Sequence, residues 1–402
     1  MPFVLYVLAL AVFAQGTSEF MLSGLMPDIA HDMQVSIPVA GSLTSAFAVG
    51  MIVGAPLTAL LSLRWSRRRA LLAFLITFLV VHVLGAVTSS FGVLLATRVV
   101  AALANAGFLA VALATAAGLV APDAKGRATS VLLGGTTLAC IAGVPAGAVL
   151  GQQWGWRAAF WAVALVSLPA VCAILRSVPG GAASSTTPVT GAGVAAARAR
   201  HELRALRSPR LLVTLLLCAL VNGATFCTFT YLAPLVTRVT GFGAAGVPAM
   251  LALFGVGSFA GVTAGGRLAD TRPRQLLPAG GVALLLGWAL FALTAGNAAA
   301  TVVLVLVQGT LSFAVGATLI SQVLYAAAEA PTLGGGFATA ALNVGAAIGP
   351  WCGGIPLAAG LGYRAPLWVS ALLVALALVA GGVAEAVRRA AARGERLRTT
   401  AA

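Results

Sequence analysis

The sequence predicts an all-α membrane protein of twelve transmembrane helices arranged as two pseudo-symmetric six-helix bundles, and three observations lead there. Sixty per cent of the 402 residues are hydrophobic and only 8% are charged, a balance that makes lipid rather than water the solvent of the chain. Apolar stretches recur along the whole length, each close to the ~20 residues that a spanning helix needs. The chain also resembles itself at an offset of 207: Gly16 falls on Gly223, Pro27 on Pro234, and Trp156-Arg157-Ala158 on Tyr363-Arg364-Ala365. Matches at glycines, prolines and loop residues mean more than matches between bland apolar positions. Two parallel halves are a known transporter plan, with the site between them near the midplane.

Glycine, proline and charge clusters punctuate the apolar stretches into spans at about 3–27, 38–62, 70–88, 92–120, 128–150, 158–176, 211–235, 246–267, 275–296, 299–328, 333–360 and 365–387. The first resembles a signal peptide, with Val12-Phe13-Ala14 as a cleavage-like site. No Lys or Arg precedes it, however, and its apolar run continues past Glu19 to Met26, so a retained helix is expected. Span 3 carries His82, span 4 carries Arg98 and Asn105, and span 5 carries Gly143-Val144-Pro145-Ala146-Gly147. Residues 1–176 form the first expected bundle, followed by a cytoplasmic linker over 177–210 whose Gly/Ala/Ser/Thr-rich opening reads as a flexible tether. Span 7 holds Asn222, Phe226, Phe229 and Tyr231, and span 8 holds Gly255, Gly257 and Gly261 at a spacing that suits helix packing. Span 11 combines Asn343 with Gly345, Gly349, Pro350, Gly353 and Gly354; small residues four apart let backbones touch, and the proline bends the helix. The second bundle is expected over 211–387, with a tail over 388–402.

The net charge of +15 raises the question of nucleic acid, but its distribution points elsewhere. With the N-terminus inside, twenty of the 24 basic residues fall in cytoplasmic segments, and only Arg157, Arg238 and Arg364 fall outside. That asymmetry places both termini in the cytoplasm of a multi-pass protein of the cell membrane. No nucleic-acid partner is expected, because no basic face joins aromatic residues in a soluble module. The five cysteines lie singly in apolar runs and the three histidines are scattered, so neither a metal site nor a catalytic constellation is indicated. There is no G-x-x-x-x-G-K-[ST] loop for ATP. An enzyme is not expected, nor a cofactor, and the chain is expected to act as a monomer.

The loop after span 8, Gly266-x-Leu268-Ala269-Asp270-x-Arg272-x-Arg274, resembles the G-x-L-x-D-R-x-G-R loop of the major facilitator superfamily. The copy after span 2 is weaker: Ala59 and Leu63 replace the Gly and the Asp, while Arg64, Arg67 and Arg68 remain. The glycine-proline stretch around Gly143 and Pro145, and its fuller version around Gly349 and Pro350, are similar to the motif of the family's proton-coupled exporters. Gly16-Thr17-Ser18-Glu19-Phe20 through Leu25-Met26-Pro27-Asp28-Ile29-Ala30 resembles the opening of the family's drug:proton antiporters and sugar-efflux proteins. The run Met1–Pro56 is especially similar to chloramphenicol-resistance exporters of actinobacteria. The resemblance implies the major facilitator fold, with the loop motifs (Arg64, Arg68, Gly266, Asp270, Arg272) and glycine-proline motifs acting as gates.

A charge at the bilayer centre costs ~3 kcal/mol or more, so each one needs a reason. By residue count, Glu19 lies ~12 Å below the outer end of span 1 and Arg98 ~9 Å below that of span 4, nearly one level. The resemblance implies that both helices line the cavity and that Arg98 corresponds to the family's helix-4 arginine, with Ala102 in place of the motif's glycine. Glu19 and Arg98 are therefore candidates for proton coupling, with a static ion pair bracing the two helices as the other reading. Asp28 and Asp32 flank the outer end of span 1, either as surface carboxylates or as a proton antenna. His82 reads as packing in a peripheral helix, with a proton relay as the other reading. Gln15, Asn105, Asn222, Asn343, Phe226 and Tyr231 are candidates to bind an apolar, ring-bearing substrate or to glue helices together. The expected function is proton-driven export of a small, largely apolar drug, chloramphenicol by resemblance, through alternating access. A sugar or metabolite effluxer of the same superfamily is the alternative. The partners expected are the drug, protons and the lipid bilayer.

Overall fold

In the computed structural model the described residues are 2–62, 65–120, 125–177, 204–269, 273–327 and 334–400. The chain alternates long helices in the order expected. Helices α1 (Phe3–Phe20) and α2 (Leu22–Asp32) form the first span, followed by α3 (Ile37–Ser62), α4 (Arg67–Val87) and α5 (Phe91–Gly118). The fifth span is α6 (Lys125–Leu138), a π-helical turn (Ala139–Gly143) and α7 (Val144–Trp154); the sixth is α8 (Trp156–Ser177). The second half repeats the plan with α9 (Pro209–Thr230), the short α10 (Leu232–Leu235) and a π-helical turn (Val236–Thr240), then α11 (Gly246–Ala269), α12 (Pro273–Thr294), α13 (Ala298–Ala326), α14 (Gly334–Ala358) and α15 (Ala365–Thr400). Among the described residues, eleven helices are long and apolar enough to cross a membrane. Helix α14 is not one of them, since glycine and polar residues dilute its hydropathy. Of the expected linker, residues 178–203 lie outside the described residues.

Two boundaries differ from the sequence-based expectation. The first span continues to Asp32, and the last runs through the expected tail to Thr400. In the last, Glu385 pairs with both Arg388 and Arg389, one turn further along, and Ala, Arg and Glu all favour continued helix.

The internal repeat is visible in the details of packing. Ser90 caps α5 and Asn297 caps α13, each side chain accepting from a backbone N–H three residues on. These caps are 207 apart, as are Gly155 and Gly362, which take φ of 80° and 81° in the turns before the sixth and twelfth spans. Side chains rarely adopt that region, which accounts for glycine at both turns. Gly50 and Gly54 bring α3 against α5, and Gly257 and Gly261 bring α11 against α13 in the same way. The π-helical turn at Ala139–Gly143 precedes Pro145, which has no N–H to return to Ile141, so the ladder slips by one residue there.

One side of the molecule is sealed where the halves meet. Met26, Ala30 and Ala40 of the first half cluster with Tyr231 of the second, with Leu357 packed alongside. Gln152 donates to the Ala244 carbonyl across the same end at 2.6 Å. Elsewhere the surface is apolar: Ile76, Val80, Leu84 and Val87 line one exposed stripe of α4, and Val282, Leu286, Leu290 and Leu293 line one of α12. Stripes of that size on a soluble protein would drive association; here they face lipid.

Asp32, the exposed last residue of α2 at the C-terminal end of the first span, accepts from Arg157 and, at 3.0 Å, from Trp156 Nε1, while Arg157 also donates to the Thr88 carbonyl. The hydrogen bond from Arg157, and then that from Trp156, holds the Asp32 carboxyl below its usual range. A depressed carboxyl stabilises the fold above its unfolded value, and that contribution is lost as pH falls through the folded value. Asp32→Asn is therefore expected to lower the melting temperature slightly at pH 7, by no more than ~1 kcal/mol for a half-exposed pair. The deficit shrinks toward acid pH. Melts in detergent across that pH range test this; a deficit that does not change with pH would exclude the charged contact as its source.

Candidate functional site

Arg98 is buried in α5, facing α1. Its Nη1 donates to Ser18 Oγ and its Nη2 to the Ser18 carbonyl, both at 2.8 Å. The guanidinium lies over the Phe47 ring of α3, 4.5 Å from the centroid, which adds a cation–π attraction. Ser18 Oγ also lies 2.6 Å from His82 Nε2, while His82 Nδ1 lies 2.7 Å from the Phe78 carbonyl. A carbonyl only accepts, so neutral His82 carries its proton on Nδ1 and presents a bare Nε2. Ser18 then donates to His82 and accepts from Arg98. The result is one directed chain: Arg98 to Ser18, Ser18 to His82, and His82 to the Phe78 carbonyl.

His82 is thus a correction to its reading as packing alone. Helix α4 is peripheral on its exposed stripe, but His82 is on the opposite face, buried with Phe78 and Gly85. Glu19, the next residue after Ser18, is half-buried and within electrostatic range of both Arg98 and Cys140. Among the described residues it forms no ion pair with Arg98, so the static brace is not formed.

Phe20, directly after Glu19, enters a pocket between the halves. Phe226 and Phe229 of α9, Phe254 of α11 and Phe313 of α13 complete an aromatic wall, with Cys140, Thr225 and Ser258 beside it. Phe20 lies 5.8 Å from Phe226 and 6.5 Å from Phe229, and Phe229 lies 4.8 Å from Phe254, centroid to centroid. Of the aromatic trio the sequence suggests, Phe226, Phe229 and Tyr231, the first two line this pocket; Phe254 and Phe313 are drawn in from other spans by the fold.

The remaining candidates scatter. Gln15 is buried with both amide atoms unpartnered, and Asn105 is buried on α5. Asn222 donates to the Leu342 carbonyl at 2.6 Å, tying α9 to α14, and Asn343 donates to the Thr339 carbonyl of its own helix at 3.0 Å. Tyr231 is not in the pocket. It is buried in the sealed end, where its hydroxyl donates to the Pro350 carbonyl at 2.8 Å and its ring fills the notch at Gly41. Asp28 is exposed on α2, away from Arg98, with His31 as the charged group acting on it. Gly143 packs against Thr17, and Gly349 against the backbone of Gly223. Gly266 lies in the last turn of α11, Pro145 in the first turn of α7, and Arg68 in the first turn of α4. Arg64, Asp270 and Arg272 lie outside the described residues.

Comparison with known proteins agrees with this architecture. The profile described as Major Facilitator Superfamily matches residues 8–335. The chain is 57% identical over 379 residues to a "Chloramphenicol resistance protein" of Streptomyces lividans, covering 94% of this chain and 95% of that one. It is 36% identical over 377 residues to "Inner membrane transport protein YdhP" of Escherichia coli (strain K12), covering 93% and 94%. A crystal structure of a bacterial homolog of the human lysosomal transporter Spinster, inward-facing and occupied, superposes with a TM-score of 0.78 at 17% identity, over 95% of this chain and 96% of that one. At that identity the likeness concerns the fold alone.

Proposed function

This chain belongs to the Major Facilitator Superfamily, and from that premise we propose that it is a proton-coupled exporter of chloramphenicol or a closely related uncharged, ring-bearing drug. The chain is a multi-pass membrane transporter. The observation that carries the finer reading is the 57% identity to a chloramphenicol resistance protein over nearly the whole of both chains. The aromatic wall of Phe20, Phe226, Phe229, Phe254 and Phe313 supports it. Such a surface suits a planar, apolar ligand by stacking and edge contacts.

In this reading the halves 1–176 and 211–387 rock about the drug, and the sealed end containing Tyr231 faces outward. The basic asymmetry of the loops supports cytoplasmic termini in the cell membrane. Glu19 carries the exchanged proton. It is joined directly to Phe20, so an occupied pocket and a protonated carboxyl act on the same turn of α1. Arg98 supplies the neighbouring cation that favours release of that proton. The protein works as a monomer.

The energetics are sufficient. Exchange of one proton for one neutral drug draws about 2.3 kcal/mol from a potential of 100 mV and about 1.4 kcal/mol from each pH unit. With one pH unit and 100 mV together, the available drug gradient is of order several hundred-fold.

Expression in an efflux-deficient host is expected to lower accumulation of labelled chloramphenicol several-fold, with an ionophore restoring it. Unchanged accumulation at confirmed membrane abundance, across a wide drug range, would overturn the substrate assignment. Reduced accumulation that an ionophore leaves untouched would overturn the proton coupling instead.

A further inference from the structure

The function just described uses Arg98 but neither Ser18 nor His82, yet the chain through Ser18 to His82 determines what Arg98 can touch. We propose that His82, acting through Ser18, is a positioning residue that withholds Arg98 from Glu19 and so leaves Glu19 free to take up and release a proton. The inference rests on the reading of Glu19 as the coupling carboxylate.

Three observations carry it. Both terminal nitrogens of Arg98 are spent on Ser18, one on its hydroxyl and one on its carbonyl, while Nε has no partner. Glu19 is the next residue along the same helix and lies within electrostatic range of Arg98, yet no ion pair joins them among the described residues. Finally, the Ser18 hydroxyl is oriented by His82, since a bare Nε2 at 2.6 Å takes its proton. The groups that face His82 are Arg98 from α5, Ser18 followed by Glu19 from α1, and the uncharged ring of Phe160 from α8, 5.8 Å away.

Without that acceptor, a serine hydroxyl in a helix turns to the carbonyl one turn back, here that of Ala14. Its lone pairs then leave Arg98 Nη1. A guanidinium with two buried donors unpaired seeks the nearest strong acceptor, and the carboxylate of Glu19 is one residue along. Pairing with Arg98 holds Glu19 ionised and makes it harder to protonate.

The test is the pH dependence of chloramphenicol transport into inverted vesicles, together with that of chloramphenicol binding to the purified protein, which needs no turnover. His82→Leu is expected to move the midpoint of both toward acid by about one pH unit or more, a tenfold or larger change in proton affinity. Ser18→Ala removes the same link without touching α4 and is expected to give the same shift, so a poorly folding His82→Leu protein does not end the test. His82→Gln places an acceptor near the position of Nε2 and cannot titrate; it is expected to keep the midpoint near that of the parent. Folded His82→Leu and Ser18→Ala proteins with the parent midpoint would overturn the proposal, because a packing strut affects melting temperature and not the pH profile. An acid shift in His82→Gln equal to that in His82→Leu would overturn it as well, by assigning the effect to titration of the imidazole. Failure of the Glu19 reading looks different: Glu19→Gln would then keep the parent pH profile, whatever the His82 variants do.

Discussion

Arg98→Ala is expected to abolish gradient-driven transport, and Arg98→Lys to keep only a small part of it, below about a tenth. The difference follows from how the side chain is held. The planar guanidinium places one nitrogen on the Ser18 hydroxyl and another on the Ser18 carbonyl while its face covers the Phe47 ring. A lysine ammonium keeps the charge near Glu19 but cannot make both bonds and the flat ring contact together. Alanine removes the charge as well. It leaves the Ser18 carbonyl and hydroxyl short of a donor, so some loss of stability is expected alongside the loss of function. Comparison at matched membrane abundance, with a melt in detergent, separates the two effects. Full transport by Arg98→Ala would take Arg98 out of the mechanism.

The fold was legible because its signals are local or strictly periodic. Apolar length marks the spans, and the 207-residue offset marks the halves; the paired caps at Ser90 and Asn297 and the paired turns at Gly155 and Gly362 show that offset again in three dimensions. The site was only partly legible. Depth counting placed Glu19 and Arg98 at one level, but not on facing sides. Successive residues of a helix point about 100° apart, since 3.6 residues make a turn, and Ser18 rather than Glu19 meets the guanidinium. His82 was obscured because α4 is apolar almost all round, so nothing in its sequence separates the lipid face from the inner one. Phe254 and Phe313 come to the pocket from distant spans, a tertiary fact with no local trace. Tyr231 and Phe226 look alike in sequence, yet Tyr231 sits at the break between α9 and α10, three residues before Pro234, and turns into the sealed end. Asn222 bonds a carbonyl of the neighbouring α14 and Asn343 one of its own helix, contacts that neither span's sequence marks.

Glu19→Gln is expected to retain chloramphenicol binding within a few-fold and to lose transport driven by an imposed pH gradient. Glutamine keeps the size of the side chain and its hydrogen bonding but cannot titrate, so it separates a proton role from a packing role. A buried ion pair would behave otherwise: removing one partner leaves a buried charge alone and destabilises the protein by several kcal/mol. The structure already bears on that choice, because both terminal nitrogens of Arg98 bond to Ser18 and no ion pair joins Arg98 to Glu19 among the described residues. A near-parental melting temperature is therefore expected for Glu19→Gln. Phe20, next in the chain, keeps its place against Phe226 and Phe229, so the drug still finds its aromatic surface. The deciding measurement is drug uptake into inverted vesicles with and without a pH gradient, beside a melt and a binding titration in detergent. A folded Glu19→Gln protein that accumulates drug in response to the gradient would place the coupling carboxylate elsewhere. Asp28, nine residues further along the first span, is exposed on α2 and would be the next residue to test.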